Sequence, residues 1–255
     1  MNKLTFRYFI HLAYKGTNYH GWQVQPDAIT VQEVLNKSLS VLLRAPVETI
    51  GAGRTDTGVH ATSFYAHFNS ERNDLHHNEL FIHKLNCILP RDIAAFDIFS
   101  VRPEAHARFD ALSRTYIYKI SQLKNPFNLE FAMQFTRPLD VPAMNQAAEI
   151  LKEYTDFTSF SKLHTDVKTN NCKIYEAAWE ICGNELQFTI SADRFLRNMV
   201  RAIVGTLIDV GLHKVSNEGL RMIIDQKDRG VAGTSVDAKG LHLVDIKYPK
   251  DLFAD

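Results

Sequence analysis

The sequence predicts an α+β fold made of two subdomains packed edge to edge around a shared cleft. Strand-like runs of period 2 and helical stripes of period 3.6 follow one another in a strand–helix–strand–strand–helix–strand order. That order occurs over residues 1–104 and recurs, with an extra helix, over 105–255, with no low-complexity linker between them. The chain has 255 residues, 45% of them hydrophobic, enough for two ordinary domains with real cores. The repeated order hints at an internal duplication, although no repeat is visible residue by residue.

Leu4, Phe6, Tyr8, Ile10 and Leu12 alternate with Thr5, Arg7, Phe9, His11 and Ala13, a strand. A loop rich in glycine and aromatics follows, from Tyr14 through Gly16, Tyr19, Gly21 and Trp22 to Pro26. Thr30 and Glu33 form a capping box for a helix whose apolar stripe is Val31, Val34, Leu35, Leu39 and Leu42. Strands over 47–52 and 62–68 flank a glycine-containing loop. A helix over 78–88 stops before Pro90, and a strand over 94–101 completes the first half. The second half opens with a strand over 114–120 and a helix over 143–154, with Asp140 and Pro142 near its start. Strands over 174–181 and 186–190 meet at Gly183-Asn184. The clearest helical stripe, Met199, Val200, Ile203, Val204, Leu207 and Ile208, predicts a helix over 196–210 ended by Gly211. On it Arg197 and Arg201, four apart, would share a face. Ser216 caps a helix reaching Gln226, and a strand spans 241–248.

Composition narrows the function classes. No run approaches the ~18 apolar residues of a membrane span. The sequence from Met1 goes straight into a strand pattern without the apolar core of a signal peptide. Three cysteines (Cys87, Cys172, Cys182) without C-x-x-C spacing fit a reducing cytoplasm and argue against a disulfide frame or zinc site. The 29 basic and 29 acidic residues cancel, which taken alone weakens a nucleic-acid reading. Local surfaces differ: Arg102, Arg108, Arg114, Lys119 and Lys124 face only Glu104 and Asp110 in sequence, and Arg194, Arg197 and Arg201 face only Asp193. Such stretches are able to follow a phosphate backbone on a neutral chain, or are simply solvated faces.

The most informative segment is Gly51-Ala52-Gly53-Arg54-Thr55-Asp56-Thr57-Gly58-Val59-His60-Ala61. Its glycines permit positive φ and close approach of another backbone or a ligand. A guanidinium and a carboxylate two residues apart on such a loop are able to point into one cleft. By spacing alone an ordinary surface turn is about as good a reading, since short glycine motifs have low specificity.

The whole string closely resembles the active-site loop of the tRNA pseudouridine synthase A family, and the resemblance continues in order along the chain. Tyr14-Lys15-Gly16-Thr17, Gly21-Trp22-Gln23, Gln25-Pro26 and Thr30-Val31-Gln32 are similar to its N-terminal signature. Ala107-Arg108-Phe109 with Arg114-Thr115-Tyr116-Ile117-Tyr118 resembles a second motif and Asp156-Phe157-Thr158-Ser159-Phe160 a third. Phe195-Leu196-Arg197-Asn198-Met199-Val200-Arg201, running into Ile203-Val204-Gly205-Thr206-Leu207, resembles a fourth. Thr57 stands where alanine is more usual, and Tyr154-Thr155 where a histidine is common; neither position has a chemical role.

The resemblance implies a pseudouridine synthase fold, with two ferredoxin-like or RRM-like units and largely antiparallel sheets around a central cleft. It implies a cofactor-free, metal-free isomerase acting on uridines 38, 39 and 40 of the tRNA anticodon stem-loop, working in the cytoplasm as a homodimer. Asp56 becomes the catalytic nucleophile, Arg201 its ion-pair partner and Tyr116 the active-site aromatic. Arg54 fills the space left by the everted nucleotide, a step that base-modifying enzymes require. Thr55 belongs to the substrate-binding loop, and Arg108, Arg114 and Arg197, with Arg194, are phosphate contacts. Without the resemblance, Arg201 reads as a snorkelling helix arginine and Tyr116 as an ordinary strand tyrosine.

Three rivals are weighed against this. A non-catalytic RNA-binding α+β module would use aromatic sheet residues and has no need of the Asp56 loop. A hydrolase would use Asp56, His60 and Ser63, but lacks a G-x-S-x-G elbow. A metal site would draw on His76, His77 and His83, which have no Cys or Glu partners at standard spacing.

Overall fold

The computed structural model describes residues 4–162 and 169–253, which fall into two compact units, Met1–Leu112 with Leu243–Asp255 and Ser113–His242. The sequence reading put the boundary at 104/105 and gave 241–248 to the second half. The chain instead changes unit after Leu112, and residues from Leu243 onward return to the first.

The first unit holds β1 (Phe6–Tyr14), α1 (Val31–Leu43), β2 (Ile50–Gly51), β3 (His60–Ser70), α2 (Glu79–Ile88) and β4 (Ile93–Val101). Its strands lie in the order β4-β1-β3, with β2 also on β3, and these pairs are antiparallel. This is the split βαβ arrangement that the element order predicted. Tyr8, Ile10, Leu12 and Tyr14 alternate onto one face beside Phe64, Ala66 and Phe68, all buried. The helices begin where the side chains dictate: Thr30 Oγ1 accepts from Glu33 N (3.3 Å) and Asn78 Oδ1 from Phe81 N (2.9 Å).

The strand expected over 47–52 contracts to Ile50 and Gly51 because α1 takes the preceding backbone groups. Val47 N donates to Ser40 Oγ (2.9 Å), Thr49 N to Asn36 Oδ1 (2.9 Å), and the Thr49 carbonyl accepts from Gln32 Nε2 (2.5 Å).

The second unit holds β5 (Ser113–Ser121), β6 (Met133–Gln134), α3 (Val141–Ile150), β7 (Ile174–Cys182), β8 (Glu185–Ala192), α4 (Met199–Gly211) and α5 (Asn217–Asp225). The antiparallel order β5-β8-β7 repeats that of β1-β3-β2. Helix α3 starts with Asp140 accepting from Ala143 N (3.0 Å) and is clipped to β7 by Asn145, which exchanges two hydrogen bonds with the Trp179 backbone (2.7 and 3.0 Å). The predicted 143–154 helix ends at Ile150 and tightens to a 3₁₀ turn over Leu151–Glu153. Eleven of the thirteen residues of α4 are buried, so it is the core helix of this unit. The last strand, β9 (Leu241–Lys247), lies beside β3. Past it, Tyr248 and Phe253 close over Phe9 on the other face of the first sheet, at ring centroids 5.3 and 6.1 Å away.

Candidate active site

Residues 52–59 link β2 to β3. Ala52 N donates to the Tyr65 carbonyl (2.8 Å) as the loop departs, and Val59 N to the Asp56 carbonyl (3.1 Å) closes a turn in which Gly58 has φ 80°. The loop is anchored along its length by the segment after β1. Trp22 N donates to the Thr55 carbonyl (3.3 Å), Tyr14 Oη meets Thr55 Oγ1 (2.9 Å), Gly58 N donates to the Tyr19 carbonyl (3.3 Å), and His60 Nδ1 accepts from Gly16 N (3.1 Å). Two glycines make this approach possible. Gly21, at φ 82°, lies so close that a Cβ would strike the Thr55 carbonyl oxygen, and a Cβ on Gly16 would strike that of Val59.

The anchors are themselves immobilised. Tyr14, Tyr19 and Trp22 are buried, with the Trp22 ring 4.2 Å from Phe64. Tyr19 Oη donates to Asp92 Oδ1 (2.5 Å); burial first, then the Asp92 carboxylate, push its pKa far above the usual phenol range, so it remains a donor. The first turn of α1 ties down the Trp22 loop through Gln32, whose backbone N donates to the Trp22 carbonyl (3.0 Å) and whose Oε1 accepts from Val24 N (2.9 Å). Within this frame Thr55 is buried, 9% exposed, while Arg54 is exposed and Asp56 half-buried.

In the second unit, Tyr116 stands on β5 opposite Ile190 of β8, half-buried, with its ring 5.2 Å from Phe195 and nearly perpendicular to it. Tyr118, two residues on and therefore on the same face, is fully buried and donates to the Asp237 carbonyl (2.8 Å). Burial, with Asp237 beside it, raises its pKa, and Arg201 opposes the rise. Arg201 lies in the first turn of α4 and donates through Nε to the Val236 carbonyl (2.7 Å), while Val236 N returns a bond to the Arg201 carbonyl (3.2 Å). That pairing fixes the plane of the guanidinium. Val236 is held in turn because the preceding loop packs into α4, where Gly205 leaves no room for a Cβ beside the Thr234 carbonyl. Arg201 and Tyr116 therefore hang from one rigid assembly, built from β5, the start of α4 and residues 234–237.

A sequence profile described as tRNA pseudouridine synthase matches residues 147–249. Over nearly its whole length the chain is similar to proteins named tRNA pseudouridine synthase A. It is 54% identical to one from Parabacteroides distasonis, over 97% of this chain and 98% of that protein. It is 54% identical to one from Bacteroides thetaiotaomicron, over 98% and 93%, and 38% identical to one from Clostridium acetobutylicum, over 93% and 97%. The chain belongs to the tRNA pseudouridine synthase A family.

Several motif residues of this family have structural work that the sequence did not reveal. Tyr14, Gly16, Gly21, Trp22 and Gln32 hold the Asp56 loop, and His60 holds it too. Because His60 Nδ1 accepts a backbone N–H, and Ser63 is turned to the other face of β3 where its Oγ meets His11 Nε2 (2.9 Å), the hydrolase set is not assembled. In the third motif, Asp156 Oδ1 accepts from Thr158 N (3.0 Å) and Oγ1 (2.6 Å), its other oxygen meets Lys227 (2.9 Å), and Phe157 and Phe160 are fully buried.

Arg197 corrects an expectation. The helix begins at Met199, because Asn198 adopts the left-handed conformation (φ 67°) with Nδ2 bound to Ser235 Oγ (2.6 Å). Arg197 is therefore an exposed residue of the preceding turn and shares no helix face with Arg201. Arg114 is half-buried and donates to the Asp193 carbonyl (2.8 Å), whereas Arg108 is exposed with its guanidinium 5.6 Å from the Phe109 ring centroid. His77 meets Asp97 (2.7 Å) and His76 accepts from Ser100 N (3.0 Å). On the first sheet Phe9 is fully buried beneath Tyr248 and Phe253, whereas Phe96 of β4 is 50% exposed.

Proposed function

We propose that this protein isomerises uridine to pseudouridine in tRNA, at positions 38, 39 and 40 of the anticodon stem-loop, with Asp56 as the nucleophile. In the reaction the N1–C1′ bond breaks, the uracil turns, and a C5–C1′ bond forms; C5 loses a proton and N1 gains one. Substrate and product are isomers, so the balance requires no electron acceptor and no cofactor. An ionised carboxylate beside C1′ and C6 is the group the chemistry needs.

The observation that carries the reading is the presentation of Asp56: half-buried, on a loop tied at four points to a buried scaffold, two residues after the exposed Arg54. Such pre-organisation is what a covalent catalyst requires. Arg201, its guanidinium plane set by Val236, is the counter-charge that the family resemblance assigns to Asp56. Tyr116, braced edge-on by Phe195, stacks on the everted uracil, and its hydroxyl helps to remove the C5 proton. Arg54 occupies the gap left in the RNA stack, and Thr55 sets the direction of its two neighbours. Arg108, Arg114 and Arg197 contact phosphates. The enzyme works in the cytoplasm as a homodimer with one tRNA spanning both subunits, an assignment that rests on the family resemblance.

The test is pseudouridine mapping of tRNA incubated with purified protein. Wild type should convert uridines 38–40, and Asp56→Asn should bind the same tRNA while forming no product. Turnover by Asp56→Asn above a few per cent of wild type would sink the nucleophile assignment.

A further inference from the structure

Outside the catalytic loop, the turn over residues 105–110 is built with unusual rigidity. Every one of its backbone N–H groups is bonded: Ala105 to the Arg102 carbonyl (3.0 Å), His106 to Asp110 Oδ2 (2.8 Å), Ala107 to His67 Nδ1 (3.1 Å), Arg108 and Phe109 to His106 Nδ1 (3.1 and 3.3 Å), and Asp110 to the His106 carbonyl (3.0 Å). The Ala107 carbonyl accepts from Tyr248 Oη (2.6 Å). Yet the side chain at the crest of this turn is Phe109, 74% exposed.

The ring is not isolated. A column of rings climbs from the core of the first unit: Phe9 to His67 at 6.0 Å, His67 to His106 at 4.6 Å, and His106 to Phe109 at 4.2 Å. The Arg108 guanidinium lies over the terminal ring. A scattered surface phenylalanine needs no explanation. A phenylalanine at the outer end of a ring column, on a fully bonded turn, with a cation against it, is a pre-ordered π surface beside a positive charge.

We propose that Phe109 and Arg108 form a stacking platform for one base of the bound tRNA, outside the catalytic site, with Arg108 reaching the adjoining phosphate. The proposal rests on the tRNA reading above, in which Arg108 already meets a phosphate, and adds to it a base contact at Phe109. Base-on-aromatic stacking with a neighbouring guanidinium is the mode by which proteins hold single-stranded or splayed nucleotides without reading their sequence. The ordering of Phe109 is complete before RNA arrives, so little freedom is lost on binding.

The experiment uses Phe109→Trp. The native Trp22 and Trp179 are buried (2% and 3% exposed), so the wild-type titration supplies the background to subtract. Adding tRNA should quench the new indole along the same isotherm as filter binding. Phe109→Ala should weaken tRNA binding roughly tenfold or more, and Phe109→Tyr should keep it. Circular dichroism and the urea midpoint check that each variant folds. Unchanged indole emission at saturating tRNA, or unaltered affinity in Phe109→Ala, would overturn the platform while leaving the tRNA reading intact. Emission that changes with protein concentration in the absence of RNA would assign the ring to a protein contact and also overturn it. Failure of the wild type to bind tRNA would overturn both readings.

Discussion

Lowering the pH should destabilise the first unit through His67. This imidazole is 3% exposed and accepts from Ala107 N through Nδ1, so the fold holds it neutral. Burial, followed by His106 and then Arg7, lowers its pKa from 6.5 to about 4, with Asp110 opposing. Between those values the folded protein holds fewer protons than the unfolded chain. Stability from this site is therefore complete above 6.5 and is lost as the pH falls toward 4. At about 1.4 kcal/mol for each pH unit between the two values, the loss is at most about 3 kcal/mol, of which about 2 kcal/mol is gone by roughly pH 5. Carboxylates titrate over the same range, so the measurement is a comparison with His67→Asn, whose amide oxygen replaces Nδ1 as acceptor and does not titrate. Urea unfolding followed by circular dichroism, at about pH 7.5 and about pH 5, should give a loss larger by about 2 kcal/mol in wild type than in the variant. Equal losses in the two proteins would refute the argument.

Arg201→Lys should be slower than wild type in single-turnover assays despite its retained charge, because the bond to the Val236 carbonyl and the planar fork are lost; Arg201→Met should be slower still. Equal, near-normal rates would remove Arg201 from the reaction. Gly21→Ala should destabilise the protein by about 1–3 kcal/mol and reduce activity, since its Cβ would meet the Thr55 carbonyl, as read by urea midpoint and pseudouridine yield. For Tyr116, Phe should retain much of the rate and Leu lose it if stacking is the main role, whereas both fail if the hydroxyl carries the proton. Near-normal rates for both would leave Tyr116 a structural residue.

Local features were legible in the residues. Thr30, Asp140 and Ser216 announce helix starts because a cap needs only a side chain and a backbone N–H three residues on. The Asp56 loop stood out because Gly51, Gly53 and Gly58 bracket Arg54-Thr55-Asp56 within eight residues of sequence. What was hidden depends on distant partners. Arg197 leaves the helix because Asn198 binds Ser235, 37 residues away. The 47–49 segment leaves the sheet because side chains of α1 capture it. The supports of the Asp56 loop come from far back in the chain, Tyr14 bonding Thr55 41 residues on and Gly16 bonding His60 44 residues on, a relation that periodicity does not encode. Tyr116 and Arg201 had no distinguishing local pattern and entered only through the family resemblance.

The return of residues 243–253 to the first unit has a consequence for biosynthesis. Lys247 accepts from Leu112 N (2.8 Å), Val101 bridges to Phe253, and Tyr248 and Phe253 shield Phe9 and Phe99. A ribosome makes all of this cover after the entire second unit. The nascent first unit must wait with Phe9 and Phe99 lacking the cover of Tyr248 and Phe253 while more than half of the chain is still being translated. Order of synthesis and order of completion are thus reversed: the unit begun first is finished last, and non-local closure of this kind slows folding and leaves apolar surface open to chaperones and aggregation.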